Sequence, residues 1–204
     1  MKKIIPFFAS GYESNSYLLI SDNEAALIDA GVDARSVLSV LSREGAKLKY
    51  VLLTHGHFDH TLSANELRQK TGAKLLVHKN DEEMLADAKK SALWLFFGKD
   101  DAIGQADGLL DGGDELLLGD EKIQVIHTSG HSKGSVCYRA DDSLFTGDTL
   151  FKNGYGRFDL YGGDPNELLD SLKRLALLSE DITIYPGHGD SQTLKKAINA
   201  LGII

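Results

Sequence analysis

The sequence is poor in the features that would announce several common protein classes. It has one cysteine, Cys137, in 204 residues. No intrachain disulfide can form, and a reducing compartment is the default expectation. The neighbours of Cys137, Ser135-Val136-Cys137-Tyr138-Arg139, carry no basic cluster, so a buried packing role is expected for the thiol. No block of Lys/Arg stands out, and 22 basic against 30 acidic residues leave a net charge of −8. A nucleic-acid backbone requires a concentrated basic face, so that partner class is excluded. The amino terminus has only a brief apolar run, broken by Pro6 and ended by Ser10-Gly11-Tyr12-Glu13. That is short of the roughly 7–15-residue apolar core of a signal peptide. No stretch approaches the roughly 18 apolar residues of a membrane span. A cytoplasmic protein without a membrane partner is expected. Low-complexity linkers and solenoid-length repeats are absent too.

Composition is otherwise that of a globular chain, 42% hydrophobic and 25% charged, and its length suits a single domain over residues 1–204. Tyr17–Ile20 and Ala25–Asp29 read as a hairpin around Ser21-Asp22-Asn23-Glu24. Ala34, Val37, Leu38 and Leu41 repeat at helical spacing, and Gly45 marks the stop. Tyr50–Leu53 reads as a strand buried on both faces. A helix is expected from about Thr61 to Lys70, then a strand over Leu75–Val77. Asp81 to Trp94 has helical composition, and the apolar run Ala92-Leu93-Trp94-Leu95-Phe96-Phe97 is expected to be a helix face packed on the core, with a substrate-pocket wall or a dimer contact as the alternative. Glu115–Leu118, Ile123–Ile126, Ser135–Arg139 and Leu144–Thr146 read as four strands. Asp164-Pro165-Asn166-Glu167 is a strong helix start, followed by an apolar face of Leu168, Leu169, Leu172, Leu175 and Leu178. Ile182–Tyr185 reads as a last strand and Thr193 to Leu201 as a terminal helix. Two successive mixed β/α halves predict an α/β fold with a sheet-on-sheet core and helices outside.

What the sequence does have is concentrated in four loops. Thr54-His55-Gly56-His57-Phe58-Asp59-His60 places four metal-ligand side chains within six residues. Ser129-Gly130-His131-Ser132, Thr146-Gly147-Asp148-Thr149 and Pro186-Gly187-His188-Gly189-Asp190 each set one ligand-type side chain beside glycine. Imidazole and carboxylate without thiolate suit Zn²⁺, Fe or Mn rather than a Cys-rich structural zinc. Seven ligands exceed what one tetrahedral ion with an open position needs. They suit two divalent ions, zinc foremost, roughly 3.5–4 Å apart. Such a pair brings hydroxide within reach near neutral pH and polarises a carbonyl. His78 and His127 lack glycine flanks and are assigned to surface or supporting hydrogen bonds. Asp29, in Ile28-Asp29-Ala30-Gly31, either supports a ligand histidine from behind or serves a plain turn. Asp190 either caps the final helix or adds a ligand.

These motifs resemble those of metallo-β-lactamase-fold hydrolases, and most closely the glyoxalase II branch. The resemblance rests on Thr54–His60, Thr128–Ser132, Phe145–Phe151 and Tyr185–His188, with Asn15–Leu18 and Leu27–Gly31 extending it over nearly the whole chain. It implies a four-layer αββα sandwich with the site at one edge between the sheets. His55, His57 and His131 would hold one metal, Asp59, His60 and His188 the second, and Asp148 would bridge them. Asp59 and Asp148 would be the carboxylates on which catalysis depends. The implied reaction is attack of a metal-bridging hydroxide on a small, anionic thioester or related acyl substrate, of glutathione in the glyoxalase II case. Full-length members of that branch carry a C-terminal helical domain, whereas 16 residues follow His188 here. Arg157 stands where those enzymes have a glutathione-binding lysine, with Asp159 in place of a tyrosine. Arg157 and Tyr155 are expected to touch substrate, with a structural salt bridge from Arg157 to Asp159 or a neighbouring acid as the alternative.

The segment Gly154-Tyr155-Gly156-Arg157-Phe158-Asp159 also resembles one in persulfide dioxygenases, iron enzymes of the same fold. These are the main competing reading. Flavodiiron proteins have glutamate at the position of His57. The acidic balance speaks against nucleases of this fold. β-Lactam hydrolysis is disfavoured, since those enzymes usually depart from the Asp59-His60 pair and Asp148. A site that merely stabilises the fold is a poor account of an open two-metal arrangement.

Overall fold

Several strands are apolar on both faces, and only a layer on each side can bury them. The computed structural model describes residues 2–178 and 181–202. The chain runs β1 (Lys3–Phe7), β2 (Ser16–Ser21), β3 (Glu24–Ile28), α1 (Ala34–Glu44), β4 (Lys47–Leu52), α2 (Ala64–Thr71), β5 (Lys74–His78), α3 (Glu82–Ala86), α4 (Leu93–Phe97) and β6 (Gly108–Leu110). It continues with β7 (Glu115–Leu118), β8 (Glu121–His127), β9 (Val136–Ala140), β10 (Ser143–Gly147), α5 (Pro165–Leu175), β11 (Thr183–Pro186), β12 (Gln192–Thr193) and α6 (Leu194–Leu201). One sheet has the order β1-β2-β3-β4-β5-β6 and the other β12-β11-β10-β9-β8-β7.

Strand β2 shows why four layers result. Pleating sends alternate residues to opposite faces. Tyr17 and Leu19 join Leu52, Tyr138 and Phe145 between the sheets. Leu18 and Ile20 face the other way, packing with Val37 and Leu41 of α1 and Leu67 of α2. On the second sheet Cys137, Leu144 and Ile184 pack outward against Leu168, Leu172 and Leu175 of α5 and Ala197 and Ile198 of α6. The αββα sandwich is thereby present. Cys137 is fully buried, and burial pushes its thiol up to about 11.

Helix boundaries follow local chemistry. Gly45, in the left-handed region at φ 65°, ends α1 and returns its N–H to Leu41 and Ser42 carbonyls. Asp164 caps α5 by accepting from the N–H groups of Asn166 and Glu167, with Pro165 at the first helical position.

Several sequence expectations require correction. The apolar amino-terminal residues form β1, which pairs antiparallel with β2; β6 and β12 were also unforeseen. Helix α2 starts at Ala64, because residues 58–60 tighten into a 3₁₀ turn. Leu169 is exposed rather than part of the inward face of α5. Asp190 does not cap α6, whose N-cap is Thr193; it pairs with Lys152 at 2.9 Å. The run Asp81 to Trp94 divides between α3 and α4.

The largest correction concerns the aromatic run. Helix α4 buries none of its residues, and Trp94, Leu95, Phe96 and Phe97 are 45–60% exposed. A five-residue helix offers too little length to cover a core. Ala92, at φ 67°, turns the chain so that α4 projects beside the first ligand loop. Ser91 holds it there by accepting from the Phe58 N–H.

Candidate metal centre

All four ligand loops lie at one edge of the sandwich. Residues 55–60 follow β4, His131 lies between β8 and β9, Asp148 follows β10 and His188 follows β11. Strands β10 and β11 are parallel, so their loops emerge together. Two glycines permit the close approach. A Cβ on Gly147, at φ 47°, would lie 2.3 Å from Thr54 Oγ1, and one on Gly187 would lie 2.4 Å from Asp148 Oδ1. No larger residue fits either place.

The structure brings all seven expected ligands together as overlapping groups: His55, His57 and His131; His55, His60 and Asp148; and Asp59, His60 and His188. Their donor atoms lie within 4.8 Å of one another in each group. In the first, His131 Nε2 is 2.9 Å from His57 Nδ1 and 3.1 Å from His55 Nε2. In the last, Asp59 Oδ2 is 3.2 Å from His188 Nε2 and 3.6 Å from His60 Nε2. Asp148 lies between, with Oδ1 3.3 Å from His60 Nε2, and Oδ2 3.6 Å from His188 Nε2 and 3.8 Å from His131 Nε2.

Hydrogen bonds on the far side of the rings fix which nitrogen faces inward. His131 Nδ1 lies 2.6 Å from the Arg157 carbonyl oxygen, which can only accept, so Nδ1 carries the proton and Nε2 offers its lone pair. His60 Nδ1 likewise donates to Asp29 Oδ2 at 2.8 Å. Asp29, in the left-handed region at φ 56°, also accepts from the Thr54 N–H and hydroxyl. It therefore supports a ligand histidine and fixes the start of the first loop.

Three buried polar atoms at the centre have no hydrogen-bond partner: His57 Nε2, His60 Nε2 and Asp148 Oδ1. Buried polar atoms left bare cost about 1–3 kcal/mol each. For His60 Nε2 and Asp148 Oδ1, which face one another, a cation supplies the missing partner. The donor set fits two divalent ions.

Electrostatics divide the centre. Burial and neighbouring imidazoles hold His55 well below its ordinary value. Burial and His131 bring His57 down to about 3. Burial also opposes protonation of His60, but Asp29, Asp59 and Asp148 outweigh it and raise its pKa well above the ordinary value. His188 is raised too, its burial outweighed by Asp59 and Asp148. Burial disfavours the charge on Asp148, yet His60, His131 and His188 lower its pKa strongly.

The sequence reading missed a second buried carboxylate. Asp81, fully buried at the entry to α3, accepts from the Gly56 N–H at 3.0 Å, the Ser132 hydroxyl at 2.6 Å and the Gly134 N–H at 2.6 Å. It ties the loop carrying His55 and His57 to the loop carrying His131. Burial raises its pKa against these three donors. No motif marks it, since it lies about 25 residues beyond the first loop. Asn15 was quoted only as part of a resemblance. Its side chain donates to the Pro186 and Gly189 carbonyls, and its N–H to the Gly187 carbonyl, pinning the His188 loop.

The remaining expected residues fall outside the ligand set. His78 is buried rather than on the surface, stacked on His127 at 4.3 Å and 9°. His127 Nε2 donates to the Lys133 carbonyl. A cavity of about 210 Å³ opens over the centre, lined by Asp59, Asp148, His188, Arg157, Phe96 and Phe97 among others. Arg157 borders it with its guanidinium already paired to Asp159 by two bonds of 2.7 and 2.9 Å. Tyr155 is half-exposed and does not line this cavity.

Comparison with known proteins agrees with this architecture. Residues 9–188 match the Metallo-beta-lactamase superfamily. The chain is 35% identical over 180 residues to a Bacillus subtilis protein named "Probable metallo-hydrolase YqgX", covering 87% of this chain and 85% of that one. It is also 35% identical over 185 residues to a hydroxyacylglutathione hydrolase of Brucella ovis, covering 88% of this chain and 64% of the relative. Among solved structures, the BLEG-1 B3 metallo-beta-lactamase superposes with a TM-score of 0.89 at 32% identity, covering 97% of each chain. The di-iron-bound form of TTHA1623 superposes with a TM-score of 0.82 at 31% identity, covering 94% of this chain and 96% of that one. No helix among the described residues is long and apolar enough to cross a membrane. The chain belongs to the metallo-beta-lactamase superfamily.

Proposed function

We propose that this protein is a binuclear metal-dependent hydrolase of a small thioester or related acyl substrate. The observation that carries this reading is the position of Asp148, whose two carboxylate oxygens lie 3.3–3.8 Å from His60, His188 and His131 where the ligand loops face one open cavity. When bound, two divalent cations acidify a water held between them and polarise the substrate carbonyl. Zinc is the proposed ion; iron and manganese suit the same donors, and the di-iron relative at 31% identity supports iron as the first alternative.

The chain's own residues prepare that chemistry. His57 is neutral at pH 7, and Asp148 is ionised. The Arg157 carbonyl and Asp29 turn lone pairs of His131 and His60 inward. Asp59 lines the cavity, and its proposed part is to help hold the second ion and orient the attacking water. The substrate is proposed to carry an anionic group that Arg157 meets by exchanging Asp159 for it.

A second reading is an iron-dependent persulfide dioxygenase. It is favoured by the contact of the Gly154–Asp159 segment with ligand His131 through the Arg157 carbonyl. A single preparation separates the readings. Metal content is measured first, with about two equivalents expected. Lactoylglutathione cleavage is then followed in parallel with oxygen uptake on glutathione persulfide. A β-lactam is the third substrate, because a 32%-identical structural relative bears that class name. Thioester cleavage without oxygen uptake supports the proposal. Oxygen uptake alone supports the dioxygenase, and turnover of the β-lactam alone overturns both.

A further inference from the structure

The cavity over the metal centre has two chemically different walls. One is the ligand set itself. The other is built from Tyr12, Phe58, Phe96, Phe97 and Leu160, contributed by the amino-terminal loop, the first ligand loop, α4 and the loop before α5. Four of these side chains are aromatic and they converge. Phe97 lies 4.9 Å from Tyr12 and 5.5 Å from Phe58 between ring centroids, and Phe96 lies 5.8 Å from Phe58. Rings from three chain segments thus form one continuous face beside Asp59 and His57. Arg157, the only cationic side chain on the lining apart from the ligand histidines, is neutralised by Asp159.

Phe96 and Phe97 remain about half exposed in the absence of substrate. Their exposure has a use if a ligand covers them, because apolar surface withdrawn from water favours binding in proportion to its area. The volume is adequate. A dry apolar cavity of about 150 Å³ takes benzene, and the 210 Å³ here must also hold the two ions and a water. What remains fits a ring or a short alkyl chain.

We propose that this cavity selects an acyl group that is apolar and of phenyl or short-alkyl size, with Phe96 and Phe97 as the specificity-determining side chains. The inference rests on the hydrolase reading above and names the acyl part of its substrate. Each buried methylene should raise kcat/KM by about fourfold, and loss of the rings should remove part of that gain.

The test uses the zinc-loaded full chain and thioesters of one thiol, N-acetylcysteamine, bearing acetyl, butanoyl, hexanoyl or phenylacetyl groups. The hexanoyl and phenylacetyl compounds should exceed acetyl by at least about thirtyfold in kcat/KM. The paired substitution Phe96→Ala with Phe97→Ala should cut the hexanoyl-to-acetyl ratio about tenfold. Phe96→Leu with Phe97→Leu should keep most of it. A second readout needs no turnover. Ketones with CH₂ in place of the thioester sulfur report binding through Trp94, the chain's single tryptophan, which lies on α4. A flat or falling series with the acetyl ester turned over overturns the apolar pocket and leaves the hydrolase standing. No thioester cleavage, with tighter binding of longer ketones, overturns the hydrolase and supports the pocket. Absence of both cleavage and size preference overturns both.

Discussion

The two halves of the metal centre are built from opposite materials. His55, His57 and His131 are three buried imidazoles, two of them held neutral by burial and by one another. Asp59, His60 and His188 join a carboxylate to two imidazoles whose protonation it favours, and His188 is about one-third exposed. The first half presents, at His55 and His57, lone pairs for which protons do not compete. The second presents negative charge and an opening, but protons compete for it. A half that is dry and neutral suits a permanent ion, and one that is charged and open suits the ion that meets substrate.

Asp148 lies between the halves, 3.3–3.8 Å from His60, His188 and His131, so removing it breaks the comparison most completely. Asp148→Ala should lower kcat/KM for the thioester by about 10³-fold, the loss expected when metal charge stabilisation worth several kcal/mol disappears. Bound metal should fall below one equivalent, while far-ultraviolet circular dichroism stays unchanged. A variant with full turnover and two ions would show that the halves are independent.

Each half also has its own buried carboxylate behind it, which allows the halves to be damaged separately. Asp81 braces the loops of the first half through Gly56, Ser132 and Gly134. Asp81→Ala leaves three buried donors bare. The variant should be destabilised by about 2–4 kcal/mol, lowering the unfolding midpoint by roughly 5–15 °C. Asp29 orients His60 in the second half. Asp29→Ala should weaken the second ion about 10–100-fold and the first less, since Asp29 reaches the first half only through Thr54. Metal titration by calorimetry distinguishes these outcomes, and equal loss of both ions from Asp29→Ala would sink the separate-brace argument.

The same contrast explains what could be read from sequence. The ligands were legible because the four loops are short and glycine-flanked, and because the first of them sets four ligand-type side chains within six residues. The core strands were legible because continuous apolar runs demand cover on both faces. Asp81 was not, since an aspartate just after a strand looks like an ordinary turn residue until Gly56 and Gly134 fold onto it. The run Leu93–Phe97 was misplaced for the opposite reason. Its composition states only that it is apolar, and burial is the usual consequence of that. Whether such a run faces a core or a substrate cavity depends on the turn at Ala92, which an alanine at positive φ does not advertise. Chemistry is therefore written locally, whereas the wall that chooses a substrate is written in tertiary placement.

Acidity gives the mildest way to separate the halves. His57, lowered to about 3 from an ordinary 6.5, stays unprotonated between pH 7 and 5, and His55 moves in the same direction. At these two ligands protons do not compete with the first ion across that range. His60 and His188 are raised, so below their folded values a proton must leave each before metal enters. Second-site affinity should then fall by up to about tenfold per pH unit for each proton displaced. Stability of the metal-free protein has the two opposite slopes this implies. The contribution of His57 is present above pH 6.5 and is lost as pH falls toward its folded value. That of His60 is complete below 6.5 and is lost as pH rises through its folded value. Dialysis from pH 8 to 5.5 should accordingly carry the protein from two ions to one before the last is released. His188→Ala, which keeps only the first half intact, should lose its single ion less steeply than the native protein loses its second over the same range. Loss of both ions at one pH, or a steep release from His188→Ala, would mean that the charge difference between the halves does not govern how tightly each holds its metal.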